Sequence, residues 1–231
     1  MYTRPDKHDY IDIKGIQLVR RDSCAMVKEA STAVLEEIMH RKQAPPAVAA
    51  ARQHIVRLLA GECPVDKFVV SKALRGDYKN DKQPHLFVAR KLAARRGFPV
   101  PSGTRVPYVF VEDLDNPDAC TAERAEDPAH AAEQSLPLDA LYYLEHQLWS
   151  PLQSLLKLMV EDPEAEVLGH PDVKPLLDAL RDRRDSALQR FRTDRKRLRR
   201  NAARNQSEIT SFYKKAPASL VAPEAAAAIV D

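Results

Sequence analysis

No stretch of this 231-residue chain approaches the ~18 consecutive apolar residues that a membrane-spanning helix needs, and no signal-peptide pattern opens it. Cysteine is scarce: Cys24, Cys63 and Cys120 stand far apart with no C-x-x-C spacing. That argues against a disulfide framework and a zinc site, and reduced thiols in an intracellular protein are the expectation. The six glycines form neither a G-x-G-x-x-G nor a Walker loop, so no nucleotide phosphate cradle is visible. Histidine is scattered, and His85, inside an amphipathic run, reads as a packing or polar-contact residue rather than a ligand. Asp113 and Asp115 invite comparison with a metal-binding carboxylate pair, but DLDNPD reads better as a capped turn. Taken alone, these residues display no active site.

What the chain does have is a core and a lopsided charge. Hydrophobic residues make up 44% and charged residues 30%, enough for a soluble globular body with an exposed charged segment. The formal net charge is only +3, yet residues 181–204 hold eleven Lys or Arg against three Asp, an excess of eight. The remainder is therefore net acidic, at about −5. Positive charge concentrated in one segment is the usual electrostatic footprint of a nucleic-acid partner.

Along the chain, residues 1–15 are polar and punctuated by Pro5 and Gly15, an extended lead-in. Residues 23–40 carry Met26, Val27, Ala30, Ala33, Val34 and Ile38 at helical spacing. Pro45-Pro46 breaks the chain, and residues 48–60 predict a second helix that Gly61 can end. A β-branched run at residues 68–70 predicts a short strand, and residues 84–96 a third helix with Leu86, Val88, Ala89 and Leu92 on its apolar side. RVPYVFVED is the clearest strand. Residues 113–132, acidic and broken by Pro117 and Pro128, predict a loop or short helical crossing. Residues 139–160 predict a long helix that Pro151 kinks or divides. A further helix is expected from residue 172 to about 204, its apolar positions thinning to Leu188, Phe191 and Leu198. The end, APASLVAPEAAAAIVD, has the composition of a disordered tail.

One early stretch has the residue types that phosphate binding needs. In DIKGIQLVRRDSC, Lys14 and Gly15 allow close backbone approach, and Arg20 and Arg21 precede Asp22 or Ser23, either able to cap the next helix. The plainer alternative is that the two arginines pair with nearby carboxylates.

DIKGIQLVRRDSCAMV, VVSKALRGDYKN, HLFVARKLAARRG, GTRVPYVFV and EDPAHAAEQSLPLDALYYLEHQLWSPL occur in an order and spacing that resembles the thumb of family B DNA polymerases. Delta-type enzymes and those of large DNA viruses look closest. The resemblance covers about residues 5–160, and its most specific block is similar to the K-G-x-x-x-V-R-R-D sequence that follows the palm. It implies a mainly α fold with a small β element, thumb-like, followed by a flexible basic C-terminal arm. It also implies that the chain grips the primer–template duplex through its sugar–phosphate backbone. Lys14, Gly15, Arg20 and Arg21 would lie at the duplex, with Lys72 and Arg105 as further phosphate contacts. Tyr108, Asp139, Tyr142 and Tyr143 match positions of internal packing. The palm with its Y-G-D-T-D-type turn, the fingers, the exonuclease and the Lys-Lys-x-Tyr segment are not on this chain, nor are delta-type C-terminal cysteine clusters. The resemblance therefore implies a separate polypeptide carrying palm, fingers and exonuclease, no cofactor here, and Mg²⁺ on that palm. A split polymerase and a fragment of an interrupted gene both fit, as does a non-functional remnant.

Near the end, NQSEITSFY places Gln206, Ile209, Phe212 and Tyr213 at positions one, four, seven and eight of a box. A single tight helical turn would gather the last three into an apolar plug. The stretch resembles the sliding-clamp-binding box Q-x-x-[ILM]-x-x-[FY]-[FY] at all four positions, so a sliding clamp is an implied partner. The basic segment before it is then a tether and a cation stripe along DNA, or else a solvated charged helix with no partner. The domain expectation is a lead-in at 1–22, a thumb at 23–175, a basic helix or arm at 176–204, a clamp box at 205–213 and a disordered tail at 214–231. The functional expectation is the thumb fragment or small subunit of a DNA-directed DNA polymerase. The alternative is a stand-alone DNA-binding or clamp-interacting accessory protein without polymerase activity. No membrane role is expected; the compartment would be the nucleus or a viral replication site, or the cytoplasm of an archaeon.

Overall fold

The apolar residues of the first helical run lie on one side of a helix, and that side is where the core forms. A computed structural model describes residues 2–3, 11–12 and 23–215, with side chains over 23–207. Helix α1 spans Ala25–Arg41 and buries Met26, Val27, Ala30, Val34 and Leu35. It packs on α2, Ala44–Leu59, which buries Ala47, Val48, Ala51, Ile55, Leu58 and Leu59. Pro45 and Pro46 sit within the first turn of α2 rather than ahead of it, because the first helical N–H groups have no intrahelical acceptor to lose. The residue flanking α1 is Cys24, with no side-chain cap, so neither Asp22 nor Ser23 occupies the cap position expected of them. Gly61 follows α2 with φ +70°, a left-handed conformation that costs glycine little.

Two short strands near the start, β1 (Tyr2–Thr3) and β2 (Ile11–Asp12), pair antiparallel. The predicted strand at 68–70 is displaced. Val65–Phe68 forms a 3₁₀ turn that buries Phe68, and strand β3 runs Val70–Ala73. It pairs antiparallel with β4, Arg105–Phe110, which pairs in turn with β5, Ala125–Glu126. Helix α3, Pro84–Arg96, lies against β4 and β5 and ends at Gly97 (φ +80°), whose N–H bonds to the Ala93 carbonyl at 2.8 Å.

Within the crossing, Asp113 Oδ1 accepts from the backbone N–H of Asn116 (2.8 Å) and of Asp115 (3.2 Å), the capped turn expected there. Helix α4, Pro128–Glu133, follows, with Asp127 accepting from the His130 N–H at 3.2 Å. The long helix expected at 139–160 is divided, but ahead of Pro151 rather than at it. Helix α5, Ala140–Tyr143, passes through a π-helical turn, Leu144–Leu148, into α6, Trp149–Leu156. The Trp149 N–H reaches back five residues to the Leu144 carbonyl. Pro151 has no N–H to give Gln147 one turn earlier, and widening the preceding turn accommodates the ring.

After α7, Pro163–Val167, the chain enters one unbroken helix, α8, Lys174–Lys215. Leu177 and Ala187 are buried and Leu180 packs on the core, so the root of α8 belongs to the folded body. The basic segment from residue 176 is helical, as its spacing predicts, and residue 175 lies within α8.

Candidate nucleic-acid interface

Lys72 and Arg105 come together on the β3–β4 ladder, where Lys72 lies opposite Val106 and Ala73 opposite Arg105. Successive residues of a strand face opposite sides, so the two cations project from opposite faces of this edge. Both are exposed. Arg105 lies back along the ladder, donating through Nη2 to the Ser71 carbonyl at 2.7 Å and through Nε to Ser71 Oγ at 3.2 Å. That fixes the guanidinium plane. The Lys72 Nζ donates at 3.4 Å to Gln83 Oε1, just ahead of α3.

The loop between β3 and α3 is tied down by a pair that sequence reasoning did not assign to the site. The Tyr78 hydroxyl accepts from the Arg75 N–H at 2.7 Å, donates to the Ala73 carbonyl at 3.3 Å and meets His85 Nε2 at 2.8 Å. His85 is fully buried, and burial, aided by the nearby Lys72 charge, pushes its pKa down from the ordinary histidine value. A neutral ring can bond to the hydroxyl and hold Arg75, Lys79 and Lys82 on a defined turn. The legible signal was an aromatic inside an otherwise charged stretch, GDYKND.

Behind this surface the sheet is fastened by buried polar groups. The Tyr143 hydroxyl accepts from the Phe110 N–H at 2.9 Å and donates to the Phe68 carbonyl at 3.0 Å, and burial raises its pKa far above the tyrosine range. Asp139 caps α5 through the Tyr142 N–H (2.9 Å) and pairs with Arg124. Tyr108, Asp139 and Tyr143 are all buried and Tyr142 packs against the same core, the packing role expected of these four. Glu126, on β5, binds Lys91 at 3.1 Å and Arg95 at 2.9 Å on α3. Burial opposes its charge, but Arg95, the Asp127 N–H and Lys91 outweigh it and hold the carboxyl below its usual range.

Helix α8 is fastened by three ion pairs: Arg181 with Glu145 at 3.5 Å, Arg183 with Glu112, and Arg195 with Asp118 at 3.0 Å. Of these carboxylates, Glu112 precedes the DLDNPD turn and Asp118 ends it, so the acidic crossing lies alongside the basic helix. Gln206 is on α8, and the backbone at Ile209, Phe212 and Tyr213 continues it, their side chains lying outside the described residues. The box is thus part of a long α-helix rather than an isolated turn. Lys14, Gly15, Arg20 and Arg21 lie outside the described residues. Among the described residues no group of three or more His, Cys, Asp or Glu converges to hold a metal ion. Nor is any helix among them long and apolar enough to cross a membrane.

An exposed, anchored set of cations on a small sheet, backed by helices, suits contact with a phosphate backbone. The family model for DNA polymerase family B matches residues 1–159, and the chain belongs to that family. It is 44% identical over 211 residues to the DNA polymerase of Paramecium bursaria Chlorella virus NY2A, covering 91% of this chain and 23% of the viral one. It is 35% identical over 164 residues to the DNA polymerase delta catalytic subunit of Dictyostelium discoideum, covering 71% of this chain and 15% of that one. The family B DNA polymerase of the archaeon Pyrobaculum calidifontis superposes with a TM-score of 0.50 at 27% identity, over 60% of this chain and 18% of that structure. The chain thus spans less than a quarter of the length of these relatives.

Proposed function

We propose that this chain is the thumb portion of a replicative DNA-directed DNA polymerase, gripping the primer–template duplex and docking on a sliding clamp. The observation that carries the reading is the DNA polymerase family B match over residues 1–159, with exposed Lys72 and Arg105 of β3 and β4 as proposed phosphate contacts. Long cations held by their own sheet contact phosphates without reading bases, which is what a grip on a moving duplex requires. Lys14, Gly15, Arg20 and Arg21 extend that grip from the lead-in. Gln206, Ile209, Phe212 and Tyr213 form the clamp-docking peptide. In this reading nucleotidyl transfer through two Mg²⁺ ions belongs to a palm outside this segment, as the resemblance implies.

The test is primer extension by the palm-bearing polypeptide, with and without this chain, and with Lys72→Gln/Arg105→Gln. Addition of the chain should lengthen products. The double variant should weaken duplex binding evenly across sequences and lower the salt slope by about 2, at ~0.9 per lost phosphate contact. Binding to duplex and clamp with no effect on extension would instead mark an accessory protein. Base-selective loss in the variant would contradict the backbone grip.

A further inference from the structure

Helix α8 is apolar on one side only. At about 100° per residue, Leu177, Leu180, Ala187, Phe191 and Leu198 fall on a single stripe. Leu177 and Ala187 on that stripe are buried, whereas Leu198 is 67% exposed, so the helix leaves the folded body between them. The three arginines paired with domain carboxylates, Arg181, Arg183 and Arg195, flank this stripe on its two sides. Pairs on both flanks fix the roll of the helix about its axis.

The roll decides what the far side presents. Arg192, Lys196, Arg197 and Arg200 fall on the half of α8 turned away from the stripe, Arg190 and Arg199 lie at its two borders, and all six are exposed. No ion pair with a domain carboxylate is found for these six among the described residues. Between residues 190 and 207 that half carries no Asp or Glu, since Asp194 lies toward the stripe. The six lie between residues 190 and 200, a rise of about 15 Å along straight helix. Two other polyanions fit less well. A membrane-surface helix needs apolar residues to insert, and between residues 186 and 207 this half holds none larger than Ala203. A single strand needs aromatic platforms for its bases, and the same half holds no aromatic.

We propose that the outward face of α8 is a second nucleic-acid surface, a rigid cationic rod that lies along the phosphate backbone of duplex DNA beyond the β3–β4 grip. The acidic crossing is its orienting counter-surface: Glu112 and Asp118 occupy flank arginines and leave the outward set for phosphate. This rests on the reading of the chain as a duplex-gripping element, and deepens it by adding a strip that the family match at residues 1–159 does not include.

The test is fluorescence anisotropy of the whole chain on two unrelated blunt duplexes over a salt series. The outward quadruple variant Arg192→Gln/Lys196→Gln/Arg197→Gln/Arg200→Gln keeps helix propensity and touches no buried side chain. It should bind both duplexes at least tenfold more weakly at low salt, with a slope of log affinity against log salt smaller by about 3.6, at ~0.9 per charge. The flank triple Arg181→Gln/Arg183→Gln/Arg195→Gln should change the slope by less than half as much. An unchanged slope in the quadruple, or an equal loss in the triple, overturns the outward surface. So does a quadruple that loses phosphatidylserine-vesicle or single-strand binding while holding duplex. If the wild-type chain binds duplex and only the quadruple prediction fails, the grip reading survives; if it binds no duplex, both fall.

Discussion

Tyr143 shows how one hydroxyl joins distant parts of the chain. Its ring packs 4.8 Å from Phe68, centroid to centroid, and its oxygen serves both the Phe110 N–H and the Phe68 carbonyl. Those two backbone groups lie where the sheet interior offers no water, so removing the hydroxyl leaves a donor and an acceptor unpaired. Tyr143→Phe should therefore cost about 2 kcal/mol despite preserving shape, lowering Tm by roughly 4–8 °C for a protein of this size. Thermal unfolding by circular dichroism measures it, and an unshifted melt would remove the hydroxyl from this account. The resemblance already pointed to internal packing for Tyr143, but the backbone groups it joins, 33 and 75 residues away, are set by the fold.

At the scale of elements, α3 is held to the sheet by one carboxylate. Glu126 on β5 draws Lys91 and Arg95 of α3 onto the strand, and its pKa lies below the usual carboxyl value of 4.5. A depressed folded-state pKa adds stability above the unfolded value and loses it as pH falls through the folded one. Glu126→Gln should thus cost about 1–2 kcal/mol at neutral pH. The difference from wild type should close below about pH 4.5, as protonation removes the same charge. Urea midpoints of both proteins from pH 7 to pH 3 check this, and a gap that persists at acid pH would count against it. The element boundaries teach a similar lesson. Helix α3 was legible to the residue because Pro84 and Gly97 punctuate it, while the break at Leu144–Leu148 was not, since Pro151 acts one turn upstream of itself.

At the scale of the whole molecule, α8 runs without a break from a root packed on the core to the proposed clamp box. A docking peptide on such a helix raises the local concentration of the enzyme at the primer end through a defined reach. Replacing Phe212 and Tyr213 by Ala should abolish pull-down by the cognate sliding clamp and leave duplex affinity within about twofold. Retained pull-down would remove the box from the proposed function.

Composition and periodicity were enough for the helical class with its small sheet and the +8 segment, while the family entered through the resemblance of the ordered motifs. The first two follow from local periodicity and residue type, which each stretch of chain carries within itself. Only the tertiary structure decided which cations are occupied and which are presented. Arg183 and Arg195 look no different in sequence from Arg192 and Arg199. The first two meet Glu112 and Asp118 because a crossing more than 70 residues earlier folds alongside α8. Charge that is long-range in sequence becomes a contact only when packing brings it within a few ångströms, and that packing set the roll of the helix.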